Sequence, residues 1–368
     1  MAAARAFAEN ELRPVAIRYD ETDDYPWELF YRGAELGFTC FDLPLEYGGG
    51  GVESLFESCL VLEELTWGDS PIALVITQGG FFAGPVLALG SEEQKRRWLP
   101  PLCAAKPPAT AVAITEPGAG SDAAAIETQA RRIDGGYVID GHKKLIGNAP
   151  VADRCVVFAT VAPGTRSKGI TAFVVERGDE GFVRGERLPT LGSRCFPAGE
   201  LLFRNCFVPE DRRLGAEGDG FRGVMLTFDR ARVQLAANSL GIGRAALEHA
   251  VEHAKQRNAF GKPIHDFQAV SFRLVDAKLK LDQARLLTHH AARLADAAQP
   301  FGPEAAMAKL AASEAAWFTT WAAVQTLGGA GYIRDSPVQK WLRDAKLDEI
   351  WDGTSDITRL IVARSLFA

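Results

Sequence analysis

The stretch Glu349-Ile350-Trp351-Asp352-Gly353-Thr354-Ser355-Asp356 sets a carboxylate between a large aromatic and a glycine, with two hydroxyl side chains just beyond. Beside Trp351 the Asp352 carboxylate would be partly desolvated. That favours its neutral form and moves its pKa toward the range of a general base. Gly353 lets backbone come close to a ligand, and Thr354 and Ser355 can donate hydrogen bonds to one. The same residue types also make an ordinary loop ending in a helix N-cap, so the stretch alone leaves both readings open.

Other runs carry chemistry of their own. Thr115-Glu-Pro-Gly-Ala-Gly-Ser-Asp122 follows the apolar segment Ala111–Ile114 and makes a rigid loop whose backbone N–H groups can face a ligand. Gln325-Thr-Leu-Gly328-Gly-Ala-Gly331-Tyr ends a helical segment in a glycine-rich turn, which suits close backbone approach to a phosphate or sugar. Arg257-Asn-Ala-Phe260-Gly261-Lys262 closes another, with a guanidinium able to grip a pyrophosphate and an aromatic to pack on a ring. Gly241-Ile-Gly243-Arg-Ala-Ala246 fits a dinucleotide fingerprint, but it sits in a helical stretch with no βαβ unit around it, so close helix packing explains it better. His249-Ala-Val-Glu252-His253 has zinc-protease spacing without an obvious third ligand downstream. It reads as a solvated helix face, and no metal site is assigned.

These runs need elements to position them. With 368 residues, 47% apolar and 24% charged, the chain has room for two or three domains and a large core. A net charge of −6 argues against nonspecific nucleic-acid binding. The cysteines are scattered with no C-x-x-C pair and read as reduced thiols. No apolar run is expected to reach membrane-spanning length and no signal-peptide pattern opens the chain, so the expected location is the cytoplasm.

Residues 1–108 read as an all-α domain. Leu55, Leu60, Leu62 and Leu65 keep helical spacing, Ser91-Glu-Glu-Gln94 is a capping box opening a helix through Trp98, and Gly48–Gly51 and Gly79-Gly80 read as loops. Residues 109–214 are β-rich, with strand candidates at Ala111–Ile114, Tyr137–Ile139, Val156–Val161, Thr171–Val175 and Leu201–Phe203; without intervening amphipathic helices they suggest a small barrel or sandwich. Residues 215–368 return to helix. Val270, Leu274, Ala277, Leu281, Ala284, Thr288 and Ala291 form one stripe, the seam of a helical bundle, and after Pro300–Pro303 a second helix runs back. The class is α+β multidomain, in the order α, β, α.

Together the motifs resemble the acyl-CoA dehydrogenase family over nearly the whole chain. The resemblance rests on the Thr115–Asp122 octet, the Gln-x-x-Gly-Gly-x-Gly-aromatic run, Leu191-Gly-Ser-Arg194 with Val208-Pro209, Arg257–Lys262, and the acid-Gly-Thr loop at its interval from Gly329. It implies a helical domain, a β domain and a C-terminal four-helix bundle, assembled as a homotetramer or homodimer, with FAD between the β domain and the bundle. It implies that Val112, Ile114 and Thr115 meet the flavin ring, and that Arg257, Phe260, Gln325, Gly328 and Gly329 bind the FAD of a neighbouring subunit. Thr354 and Asp356 would lie at the diphosphate and adenosine side. Asp352 would be the catalytic base, and Ser121, Asp229 and Arg232 would contact the acyl-CoA, with Trp351 and Gly353 beside it. Electron-transfer flavoprotein would be the acceptor.

Several positions depart from that pattern. The base is usually Glu; the alternative base position of some relatives, one residue before Arg232, is Ala231. An aromatic commonly stands at Leu145, and Thr or Ser at Gly147. Phe81, Phe82 and Trp351 would narrow the acyl pocket toward short, branched or cyclic chains. The rivals are an acyl-CoA oxidase, an enoyl reductase run in reverse, a dehydrogenase of a carrier-protein thioester, and a non-catalytic scaffold associated with nucleic acid.

Overall fold

The computed structural model describes residues 1–367. Helices α1 (Ala2–Phe7), α2 (Ala16–Thr22), α3 (Trp27–Glu35), α4 (Leu55–Gly68), α5 (Ser70–Thr77), α6 (Gly79–Leu89) and α7 (Glu92–Trp98) form the first layer. The capping box is present: Ser91 Oγ accepts from the Gln94 amide, and the Gln94 side chain accepts from the Ser91 amide. The expected loop at Gly79-Gly80 is corrected. Those glycines open α6, because the chain passes from α5 through the buried Gln78 with helical backbone. The expectation that no apolar run is long enough to cross a membrane is also corrected. Ser70–Leu89 has that length and composition, but it is 61% buried inside the protein, where α6 packs on α8 and the sheet.

The middle segment is one eight-stranded sheet: β1 (Thr110–Ala113), β2 (Gln129–Ile133), β3 (Gly136–Gly147), β4 (Arg154–Thr160), β5 (Ile170–Glu176), β6 (Phe182–Leu188), β7 (Ala198–Pro209) and β8 (Arg213–Leu214). A single parallel pairing, Gln129 with Thr160, joins β6-β7-β3-β2 to the half built on β4, β5, β8 and β1. So loose a joint lets the halves face one another, and alternate residues bury Ala111, Ala113, Tyr137, Ile139, Val157, Phe173, Leu201 and Phe203 between them. The other face of β1, β4 and β5 packs on Phe82, Val86 and Trp98 of the first layer. Sequence pattern missed β2 and β6, whose polar, largely solvent-facing residues do not alternate cleanly, and the two-residue β8.

The last segment holds α8 (Gly220–Gln256), a β9–β10 hairpin (Asn258–Ala259 and Lys262–Pro263), α9 (Gln268–Asp296), α10 (Gly302–Leu327), α11 (Pro337–Asp348) and α12 (Ser355–Leu366). On α9 the buried residues include Leu274, Ala277, Leu281, Ala284, Thr288 and Ala291 of the expected stripe. Gly241 and Gly243 serve helix packing. A Cβ on Gly241 would meet Thr66 at 2.0 Å, and one on Gly243 would meet Leu281 at 2.5 Å.

The three segments meet on one ammonium. Lys340 Nζ of α11 bonds Asp69, which caps α5, and Asp344 Oδ2 one turn on at 2.7 Å; Asp344 Oδ1 accepts the Ser193 amide of the β domain at 2.6 Å. All three charged side chains are buried. Removing one partner of such a group strands the others, at a cost of about 3–5 kcal/mol. Lys340→Met should therefore lower the urea midpoint sharply, whereas removing the exposed Arg32–Glu35 pair by Arg32→Met should shift it little. Equal shifts would remove Lys340 as the joint.

Candidate active site

Asp352 lies in the turn between α11 and α12. The Ile350 and Trp351 amides both donate to the Leu347 carbonyl, at 2.8 and 3.1 Å, and close α11. Asp352 (φ 48°) and Gly353 (φ 101°) then reverse the chain, a conformation that Asp tolerates better than most side chains. Thr354 Oγ1 caps α12 by accepting from the Ile357 amide at 3.2 Å.

Two cations hold this turn by its carbonyls. Lys309 Nζ of α10 donates to Gly353 O at 2.7 Å, and Arg232 Nε of α8 to Asp352 O at 3.3 Å. The buried Arg232 is itself fixed by Asp229, Nη1 to Oδ1 at 2.7 Å. Among the described residues nothing hydrogen-bonds the Asp352 carboxylate or accepts its backbone N–H. Burial pushes the carboxyl above its ordinary value, and Lys309 and Arg232 pull it back only in part. Ala231 is buried, so no carboxylate approaches from that position.

Asp348 was not legible as part of the site. It accepts from Ser239 Oγ at 2.7 Å, Asn238 Nδ2 at 3.0 Å and Trp351 Nε1 at 3.0 Å, and burial raises its pKa to about 6. It pins the root of the turn to α8 and orients the indole beside Asp352. Phe196 meets that indole edge-on, centroids 6.2 Å apart. A Cβ on Gly147 would lie 2.9 Å from the Phe196 ring, so the aromatic fills the space a Thr or Ser at 147 would need. The series Gly147, Phe196, Trp351 thus links the end of β3 to Asp352.

Thr115 follows β1, and its carbonyl accepts the Lys144 amide at 3.0 Å. A bulge between Lys143 and Ile146 throws Leu145 into the left-handed region (φ 60°), leaving it 64% exposed next to that contact. In the octet, Glu116 shapes the loop. It accepts the Glu127 and Thr128 amides at 2.6 and 3.0 Å and pairs with buried Lys143, whose pKa burial lowers to about 8. Val112 is half-buried, Ile114 buried and Ser121 exposed.

Arg257, Gly328 and Gly329 come together at another place. With His253, Ile264 and Thr326 they line a cavity of about 440 Å³ that shares no residue with the Asp352 turn. A Cβ on Gly118, Gly120 or Gly329 would meet no protein atom within 4 Å. The fold does not need those glycines for packing, and the open backbone fits an extended, phosphate-bearing cofactor. Phe260, 95% exposed on the hairpin, and Gln325, exposed in the last turn of α10, do not line that cavity; Asp356 is also exposed. His249 packs edge-on against Trp341, and His253 faces the 440 Å³ cavity.

Comparison with known proteins agrees along the whole chain. Residues 1–106, 111–206 and 218–367 match the acyl-CoA dehydrogenase N-terminal, middle and C-terminal domains. The chain is 40% identical to the human mitochondrial short-chain specific acyl-CoA dehydrogenase over 363 residues, 98% of this chain and 88% of that one. Butyryl-CoA dehydrogenase from Megasphaera elsdenii superposes with a TM-score of 0.95 at 36% identity, covering 99% and 96% of the two chains. The prolyl acyl carrier protein oxidase AnaB gives 0.95 at 29% identity, covering 100% and 97%. The three-layer fold, the glycine-rich loops and these likenesses place the chain in the acyl-CoA dehydrogenase family, whose members are FAD-dependent oxidoreductases.

Proposed function

We propose that the chain dehydrogenates a short, branched or cyclic acyl-CoA between its α and β carbons, with Asp352 as the base. The observation that carries this reading is the Asp352 carboxylate: half-buried, free of hydrogen bonds among the described residues, and fixed through its backbone. FAD, when bound, supplies the acceptor for the hydride leaving the β-carbon. Asp352 takes the α-proton, and its raised pKa makes it a stronger base than an exposed Asp. Its unpaired backbone N–H is available to polarise the thioester carbonyl as charge develops there. Arg232 and Lys309 keep both groups in place. Trp351 and Phe81 belong to one apolar cluster and narrow the approach, which favours compact acyl groups.

Val112, Ile114 and Thr115 with Leu145 are assigned to the flavin ring, Ser121, Asp229 and Arg232 to the CoA side, and Thr354 and Asp356 to the diphosphate and adenosine side. Arg257, Gly328 and Gly329, with exposed Phe260 and Gln325, are assigned to the FAD of a second copy. The separation of the 440 Å³ cavity from the Asp352 turn supports a homodimer or homotetramer in which each copy completes another's site. Electron-transfer flavoprotein is the proposed acceptor and the cytoplasm the proposed location. The likeness to AnaB supports a second reading, in which the thioester is on a carrier protein.

Asp352→Asn should keep its flavin and bind thioester, yet lose about 10³-fold in the rate of anaerobic flavin bleaching. Near wild-type bleaching would remove Asp352 as the base. Because the base form is required and its pKa is raised, kcat/KM should fall on acidification at a higher pH than for an exposed carboxylate. Lys309→Met deletes a positive neighbour and should move that acid limb higher still; an unmoved limb would deny the coupling. Arg257→Ala should elute with severalfold less FAD or as a smaller species on gel filtration. Full cofactor and unchanged assembly would take Arg257 out of the cofactor site.

A further inference from the structure

Behind Trp351 the α4–α6 layer, α8 and the segment Thr39–Asp42 line a small, partly open cavity with a free volume of about 30 Å³. Phe81 and Leu74 on its wall belong to the apolar cluster that holds Trp351. Asn238, also on its wall, bonds Asp348, which accepts from the Trp351 indole. The cavity therefore adjoins the residue next to Asp352, where the end of a short acyl chain would extend; this step rests on the reading of Asp352 given above.

Its lining is largely apolar but carries a few polar groups. Asp42 faces it, with Oδ2 accepting from Gln234 Nε2 at 3.0 Å; the same Gln234 nitrogen also lies 3.1 Å from Ser58 Oγ. No described cation pairs with Asp42. Arg230, the nearest that acts on it, is exposed and beyond ion-pair distance. In front of the carboxylate stands Gly80, where even an added Cβ would remain 4.0 Å from both oxygens. Besides Gln234 only the residue's own amide bonds the carboxylate, which leaves it room for a further donor, and burial pushes the carboxyl above its ordinary value. A buried carboxylate oxygen needs a donor, which water would supply where the protein does not. A plain alkyl end would strip that water and leave a desolvated carboxylate and amide facing methyl groups, which is unfavourable. A donor on the acyl chain would replace the water bond for bond. The cavity is small, so a short chain end with a compact polar group suits it better than a long one.

We infer that Asp42 and Gln234 select an acyl thioester bearing a hydrogen-bond donor, a hydroxyl or ammonium, on the distal end of a short chain. Selectivity built on unsatisfied buried polar groups is large when the ligand lacks its partner, as the site then loses the bond and keeps the desolvation.

The test uses the FAD-loaded enzyme with pentanoyl-CoA and its near-isosteres 4-hydroxybutyryl-CoA and 4-aminobutyryl-CoA, in which the terminal methyl becomes a donor. At least one donor-bearing ester should exceed pentanoyl-CoA in kcat/KM by about tenfold or more. Which one leads distinguishes a neutral donor from a cation. In Asp42→Leu that ratio should collapse to about one or invert. Asp42→Asn, with almost unchanged volume, guards against misfolding of the leucine variant and should lose most of any preference for the ammonium ester. Pentanoyl-CoA as good as both donor-bearing esters in the wild type, or a ratio untouched by both substitutions, would overturn the inference while leaving Asp352 as the base. If no thioester bleaches the flavin, the function proposed above fails with it.

Discussion

The buried ammonium of Lys340 is the constraint on which the arrangement of domains depends. Two carboxylates taken out of water next to each other repel, and burial drives Asp69 upward in pKa; Lys340 between them makes the group tolerable. Each carboxylate has a second task besides the first. Asp69 caps α5 through the Ile72 amide, and Asp344 takes the Ser193 amide of the β domain. Moving any one of the three domains breaks a bond inside this group, where no water is on hand to replace it. Arg343 reinforces the joint on the more exposed side through Asp20 and the Leu191 carbonyl.

The spacing of residues on α11 carries that constraint to the chemistry. Lys340, Asp344 and Asp348 recur at helical intervals and lie buried on one face. The first two lock the helix to the other domains, the third locks its end to Asn238 and Ser239 of α8, and the next step of four falls on Asp352, just past the helix. The proposed base is thus the continuation of a rigid, charged stripe, and its turn is held at the carbonyls by Arg232 and Lys309. Holding the backbone and leaving the carboxylate free is what a base requires, since a salt bridge to the carboxylate itself would lower its pKa and occupy its lone pairs.

Much of this was legible in the sequence where local pattern and tertiary role coincide. The α9 stripe, the Ser91 capping box and the β1–loop sequence before Thr115 announce themselves because periodicity, cap chemistry and turn residues are local signals. Gly79-Gly80 misled because two glycines ordinarily break helices, whereas here the packed Gln78 carries helical backbone through them. Ser70–Leu89 was passed over as a long apolar run because its serine, glycines and prolines hide how continuous it is. Asp348, Lys309 and Asp42 could not be recognised. A lone acid or lysine on a helix or in a turn looks solvated until distant residues bury it, and no spacing rule connects residue 42 to residue 234 or 309 to 353.

Departures from the family pattern also make sense as a set. Asp at 352 holds its carboxylate about 1.3–1.5 Å nearer its own backbone than Glu would, and a misplacement of about 1 Å can cost on the order of 10²-fold in rate. A shorter arm must therefore be matched by a substrate that comes closer to the turn. Beside it, Gly147 has ceded its side-chain space to Phe196, which leans on Trp351, and Trp351 is tied through Asp348 to α8. The aromatic pair stiffens the wall next to the base where a longer acid could have swung. A short base on a stiff wall demands a substrate located by contacts elsewhere, and a polar anchor at the far end of the cleft would supply that location. The retracted carboxylate of the proposed base and the Asp42–Gln234 pair inferred above would then be two ends of one requirement: an acyl group fixed distally would bring its α-carbon to an acid that cannot reach.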